Sequence, residues 1–158
     1  MKFYIRTYGC QMNVADSNEM GRHLKARGLE QTFNEDEASV FLVNTCTVRD
    51  HAEHRAFSEV GRLRKWKAMK PGRKLVVTGC AAERARDYLA SRFPYIDLLV
   101  GAKSIEDFPT AVNGLLLRRD TDEDLHYAVA SNSDTVSAFV TIGRKARCNK
   151  CRSSCSPA

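Results

Sequence analysis

Apolar residues fall in short dense runs and in helix-spaced stripes along the first two-thirds of the chain. A run at about residues 2–8, KFYIRTY, reads as a strand. Met20 and Leu24 then lie four apart, on the inner face of a helix. Asp16 is its expected N-cap, Glu19 completes a capping box, and Gly28 is a good terminator. Ser39–Asn44 is almost continuously apolar, as a parallel strand buried on both faces requires. A long helix is predicted after Cys46, with Val48, Ala52, Ala56, Val60 and Leu63 along one stripe and Pro71-Gly72 as its stop. Lys74–Thr78 is the third strand, followed by a helix from Cys80 to about Arg92 that Phe93-Pro94 closes. A fourth strand, Ile96–Val100, leads through Gly101 to a short helix near Ser104–Val112.

The βαβαβαβα alternation, with connections long enough for right-handed crossovers, predicts an α/β fold. It would be a doubly wound (Rossmann- or flavodoxin-like) parallel sheet of about four strands with helices on both faces, plus a short C-terminal extension. Residues 1–112 form that domain. Residues 113–135, polar and acidic around LLLRR, read as a linker. Residues 136–158 open with a strand, Val136–Ile142, the start of a further α/β unit, and end in a cysteine-rich tail.

Length changes this picture little: 158 residues and a 43% apolar share suit one globular domain with a real core. The chain has no run of about 18 apolar residues, and the N-terminus has no secretory pattern. Six cysteines without an export signal favour metal or redox chemistry over disulfides, in a reducing cytoplasm. The net charge of +6 is unevenly placed. Residues 60–74 hold seven Lys or Arg and no acid, and residues 144–152 hold five more. Acids gather instead at Glu35–Glu37 and Asp120–Asp124. A polyanion such as RNA is one partner this fits. A solvated helix with a basic C-terminal end is the other reading.

The cysteines carry the chemistry. Cys10, Cys46 and Cys80 each follow a β-prone run, 36 and 34 residues apart. That interval matches one strand–helix unit, so the three thiols arrive at one sheet edge, where ligands bind in parallel α/β folds. Such a set suits a soft metal, and a cluster held by three thiolates keeps one iron open. Buried structural cysteines are the alternative, while zinc lacks a fourth thiol or imidazole in phase. Gln11, Asn13, Asn44 and Arg49 beside these thiols would donate to a cluster or substrate, or cap the adjacent helices. A second trio, Cys148, Cys151 and Cys155, reads C-x₂-C-x₃-C among Arg147, Lys150 and Arg152. It fits one corner of a cluster, a zinc half-site or a reactive tail. His51 and His54 share a helix face that reads as solvated, and His23 and His126 have no partner in phase.

The motifs TYGCQMNVADS at 7–17, NTCTVRDHAE at 44–53 and TGCAAER at 78–84 occur in that order. Together with IDLLVGAKSIEDFP at 96–109, they resemble the N-terminal domain of the radical-SAM methylthiotransferases, most closely the tRNA-modifying branch. The resemblance implies that Cys10, Cys46 and Cys80 ligate an auxiliary [4Fe–4S] cluster. It also implies that Cys148, Cys151 and Cys155 correspond to the cluster that binds and reductively cleaves S-adenosylmethionine. The implied reaction is methylthiolation at C2 of an N6-isopentenylated adenosine beside the anticodon of tRNA. Implied partners are tRNA through its anticodon stem-loop, and sulfur and electron donors. No membrane contact is expected, and the chain would act as a monomer.

Two departures qualify this. The family's radical-SAM motif is C-x₃-C-x₂-C, with aromatic residues where this chain has Lys150, Arg152, Ser153 and Ser154. The chain also stops at Ala158, where the family continues into a partial (β/α) barrel and an RNA-binding β-barrel. A truncated or frame-disturbed enzyme that does not act alone is therefore expected. The competing expectations are a non-catalytic RNA- or partner-binding module and a zinc-binding truncated protein.

Overall fold

Among the described residues the sheet has six strands, five of them parallel, and the ends of the parallel strands set out the thiols. The computed structural model describes residues 1–47, 50–117 and 140–141. The elements run β1 (Lys2–Thr7), α1 (Gln11–Ala26), β2 (Glu30–Gln31), β3 (Val40–Thr45), α2 (Asp50–Met69) and β4 (Lys74–Gly79). They continue with α3 (Cys80–Arg84), α4 (Arg86–Arg92), β5 (Leu98–Gly101), α5 (Phe108–Leu117) and β6 (Val140–Thr141). Short 3₁₀ turns occupy Glu35–Glu37 and Ala102–Asp107. The strand order is β2-β1-β3-β4-β5-β6; the first five are parallel and β6 runs antiparallel on β5.

The doubly wound α/β fold is therefore as expected, and 2-1-3-4-5 is the flavodoxin-like order. The strand count is not: the parallel sheet has five strands rather than about four. The missed strand, β2, is only Glu30–Gln31, too short and polar for any hydrophobic period. Backbone bonds around β1 hold it, with Glu30 N–H on Met1 O (3.0 Å) and Thr32 N–H on Phe3 O (2.9 Å).

Alternation along the strands fills two cores. On one face Leu42, Val76 and Val100 meet Met20 and Leu24 of α1 and Phe108 and Val112 of α5. On the other, Phe41, Val43 and Val77 meet Val60, Leu63 and Trp66 of α2 and Leu89 of α4. All six residues of β3 are buried, so each apolar side chain there contributes about 1.5–3 kcal/mol. Among the described residues, no helix is long and apolar enough to cross a membrane.

Four boundaries differ from the sequence reading. Helix α1 begins at Gln11 with Cys10 as N-cap, not at Asp16. Asn13 Oδ1 accepts the Cys10 N–H at 3.2 Å, so Asn13 does the capping and Glu19 pairs with Arg22 and His23 instead. The helix expected over Cys80–Arg92 is divided at Ala85, although Ala85 N–H to Ala81 O and Leu89 N–H to Ala85 O carry its axis across. Strand β5 starts at Leu98 because the Asp97 carboxylate turns aside to accept the Leu75 N–H (2.6 Å) and to pair with Lys67. Helix α5 also runs on to Leu117, past the expected end at 112. Within the strand expected at Val136–Ile142, the described pair Val140–Thr141 is extended.

A charged latch ties β1 to α2. Arg6 donates to Glu59 at 2.7 Å and also pairs with Glu35, while Arg62 reaches both of the same carboxylates. Burial works against the Glu59 carboxylate, but hydrogen bonds and charge from Arg62 and Arg6 win and hold its pKa below the ordinary range. A lowered folded pKa stabilises above the unfolded value and loses that stabilisation as pH falls through the folded one. Glu59→Gln is therefore expected to cost about 1–3 kcal/mol at neutral pH, in denaturant melts. That gap should shrink below about pH 4; a gap independent of pH would show that the charge does not matter.

Candidate functional site

Thr7, Asn44 and Thr78 sit side by side across β1, β3 and β4, and Thr45 lies opposite Gly79. Just beyond this line the chain reaches Cys10, Cys46 and Cys80. Helix α1 leaves β1 for one face of the sheet, and α2 covers the other. The loops after these two neighbouring strands therefore part, which is where doubly wound folds open their ligand crevice. None of the three cysteines is in a disulfide; Cys46 is buried, and Cys10 and Cys80 are half-buried.

Two glycines press the loops together. A Cβ on Gly9 would stand 2.6 Å from Cys46 Cβ, so the segment entering Cys10 lies directly against Cys46. A Cβ on Gly79 would stand 2.1 Å from Thr45 O, and Gly79 has φ +98°. The backbone entering Cys80 is thus clamped to the residue before Cys46. Neither approach is open to a residue with a side chain.

An amide pair completes the brace. Asn13 Nδ2 donates to Asn44 Oδ1 (3.2 Å) and Thr45 O (3.1 Å). In return Asn44 Nδ2 donates to Asn13 O (2.8 Å) and Ser17 Oγ (3.0 Å). Ser17 Oγ in turn bonds Thr7 Oγ1 at 2.7 Å, and Thr45 Oγ1 accepts the Ala82 N–H at 3.2 Å. Helix α1, β1, β3 and α3 are therefore joined through polar groups at one edge.

Electrostatics differ among the thiols. Hydrogen bonds from the backbone of Asn13 and Met12 lower the Cys10 pKa, as helix N-terminal amides do, with a further bond to the Cys46 side chain. Burial raises Cys80, and the negative charge of Cys46, Glu83, Asp16 and Cys10 adds to the rise. The three sulfurs thus interact with one another. Among the described residues, no three His, Cys, Asp or Glu side chains converge tightly enough to hold a single metal ion. A cluster that offers a separate iron to each thiolate asks for a wider spread, and an all-sulfur donor set is the chemistry it takes.

The structure brings Asn13 and Asn44 into the site but leaves Gln11 exposed on the first turn of α1. His51 and His54 are exposed on α2, as read from sequence, and His23 pairs with Glu19 at 3.1 Å. Arg49, His126, Cys148, Cys151 and Cys155 lie outside the described residues. Sequence reasoning missed Thr7, Ser17 and Thr45. The available signal was polar residues at the end of otherwise apolar strands, in the Asn44-Thr45 pair before Cys46.

The family model described as Uncharacterized protein family UPF0004 matches residues 2–101. A protein of Hydrogenobaculum sp. (strain Y04AAS1) named tRNA-2-methylthio-N(6)-dimethylallyladenosine synthase is 36% identical over 91% of this chain and 35% of its own length. A Clostridium botulinum (strain Alaska E43 / Type E3) protein of the same name is 37% identical, over 89% of this chain and 33% of its own. One from Hydrogenovibrio crunogenus (strain DSM 25203 / XCL-2) is 41% identical over 77% of this chain and 26% of its own. The chain therefore spans about a third of the length of the curated relatives it matches. The resemblance carried by the three cysteine motifs is borne out, and with well over half of its residues matched the chain belongs to the protein family UPF0004.

Proposed function

We propose that this chain is the auxiliary-cluster part of a tRNA methylthiotransferase, with Cys10, Cys46 and Cys80 as the protein ligands of a [4Fe–4S] cluster. The observation that carries the reading is the delivery of three thiols, none of them in a disulfide, to one sheet edge by three adjacent parallel strands. The names of its relatives supply the reaction class. When bound, a cluster with three protein thiolates supplies an open iron for sulfur chemistry.

The chain's own residues have defined tasks in this reading. Asn13 and Asn44 hold the Cys10 and Cys46 loops in register. The first amides of α1 favour the thiolate of Cys10. Gly9 and Gly79 let the loops close on the Thr45–Cys46 segment. Cys148, Cys151 and Cys155 are proposed, on sequence alone, to hold the second cluster, where S-adenosylmethionine binds. The whole reaction would methylthiolate C2 of N6-isopentenyladenosine in tRNA, in the cytoplasm, with separate sulfur and electron donors. The part of that reaction proposed for these residues is binding of the auxiliary cluster.

Iron and sulfide quantitation tests the ligand set. The preparation is anaerobic reconstitution of a Cys148→Ala/Cys151→Ala/Cys155→Ala background, which isolates the first trio. About four irons per chain are expected, with broad charge-transfer absorption. Adding Cys10→Ala, Cys46→Ala or Cys80→Ala should abolish both signals. Folded protein that takes up no iron, or whose iron survives all three changes, would sink the reading.

A further inference from the structure

The cations of α2 and the turn after it divide into two sets. Arg62 pairs with Glu35 and Glu59, Lys67 with Asp97, and Arg73 donates to the carbonyls of Trp66 and Asp36. Much of the basic stretch at 60–74 is thus committed to holding the fold. Arg55 and Lys65, by contrast, are exposed and have no ion pair among the described residues. His51, Arg55, Ser58, Arg62 and Lys65 recur at steps of four and three, so they form one stripe about 21 Å long.

The middle of that stripe, Arg55, Ser58 and Arg62, borders an open groove of about 420 Å³ that Tyr8, His54 and Glu59 also line. Its volume suits a nucleotide-sized group. Tyr8 stands two residues before Cys10, and its N–H is held by Asn44 O at 2.8 Å. The groove therefore opens beside the thiol edge. Glu59 offers it no free negative charge, since Arg6 and Arg62 neutralise Glu59 and Glu35 between them. What remains is the Arg55 guanidinium, the His54 imidazole and an aromatic ring.

We propose that this groove binds an unpaired stretch of RNA, with phosphates against Arg55 and His54 and a base on the Tyr8 ring, and so presents RNA to the Cys10–Cys46–Cys80 edge. The choice of RNA rests on the reading of the chain as part of a tRNA-modifying enzyme; the location is new to that reading. Cations tracking a backbone beside an aromatic platform are how proteins hold single-stranded nucleic acid. Lys65 continues the same stripe, so a polymer is better served than an isolated small anion.

The test is binding of a fluorescein-labelled RNA stem-loop with an adenosine-containing loop, followed by anisotropy over a salt series. The full chain is used throughout, so the basic residues at 144–152 contribute equally to every variant. His54→Ala/Arg55→Ala is expected to weaken binding about tenfold and to flatten the salt slope by about 0.7 per lost phosphate contact. Arg55→Lys should keep most of the affinity, because a charge remains. Lys25→Ala, which removes an exposed cation from α1, should change nothing.

Wild-type affinity in the double variant overturns the proposal, and so does an equal loss in Lys25→Ala. A blunt duplex of the same length that competes as well as the stem-loop also overturns it, because a base in a duplex cannot stack on Tyr8. Iron content is measured on each preparation. Normal cluster uptake with unchanged RNA binding would remove the groove and leave the cluster reading standing.

Discussion

Gly79→Ala is expected to destabilise the protein by about 3–5 kcal/mol, a cost reserved for changes with a named steric cause. The cause is twofold. The added Cβ would stand 2.1 Å from Thr45 O and 2.6 Å from Asn44 Oδ1, and the first of these is backbone of the neighbouring strand. Thr45 O cannot retreat without opening the β3–β4 ladder, where Thr45 faces Gly79 in register. The backbone itself, at φ +98° and ψ −169°, is a conformation only glycine adopts without strain. A fall in melting temperature on the order of 10–20 °C should follow. Because the same contact seats Cys80 beside Cys46, iron uptake should fall even where the variant remains folded. Gly114→Ala is the control. Nothing lies within 4 Å of its added Cβ, and it sits in helix α5, so a gain of about 0.5–1 kcal/mol is expected. A Gly79→Ala melt within about two degrees of the parent would mean that β3 and β4 are not so closely apposed.

Asn44→Ala should cost about 2–4 kcal/mol, the second large effect. Asn44 is buried, and it both donates to Asn13 O and Ser17 Oγ and accepts from Asn13 Nδ2. Truncation strands those partners away from water, and an unpaired buried polar group costs more than the hydrogen bond it replaces. Asn13→Ala removes the opposite half of the same pair. The two changes together should cost about 1–2 kcal/mol less than their sum, since each already strands the other. Strict additivity in a double-mutant cycle would show that the amides do not act as one unit. The functional readout is distinct: loosening the Cys10 loop from the Cys46 strand should lower cluster occupancy in both single variants. Ser17→Ala, which loses one bond to Asn44 and one to Thr7, should have a smaller effect of about 1 kcal/mol.

The strands most readable in the sequence were those whose apolar runs are long and buried on both faces. Val40–Thr45 and Lys74–Gly79 stand within a residue or so of where the apolar runs placed them. Glu30–Gln31 was invisible because two polar residues carry no period, and their pairing depends on β1 being present. The start of α1 differs from the sequence expectation for a related reason. Asp16 and Glu19 have the local form of a capping box, yet Asn13 caps Cys10 because its amide is also claimed by Asn44 and Thr45 from β3. A local rule lost to a tertiary contact 31 residues away.

The basic helix teaches the same lesson with charge. From sequence, residues 60–74 stood out as a cationic surface. In the fold, Arg73 is buried over the Trp66 ring at 4.6 Å, while Arg62 and Lys67 are bound to carboxylates from other elements. Arg55, which has no ion pair among the described residues, lies one helical turn or more before that stretch, beside Tyr8 from another part of the chain.

The amino-acid sequence alone determined the layered parallel architecture and the position of each of Cys10, Cys46 and Cys80 just after a strand, because hydrophobic period and strand–helix spacing are local properties. Its motifs also determined the family. Only the tertiary structure decided that β1 and β3 are neighbours where the strand order reverses, that Gly9 and Gly79 close on one segment, and that Asn13 and Asn44 lock the loops together. Those facts depend on strand order and register, which are chosen by packing between residues distant in sequence. The same packing decided which cations are spent inside the fold and which stand exposed beside the thiol edge.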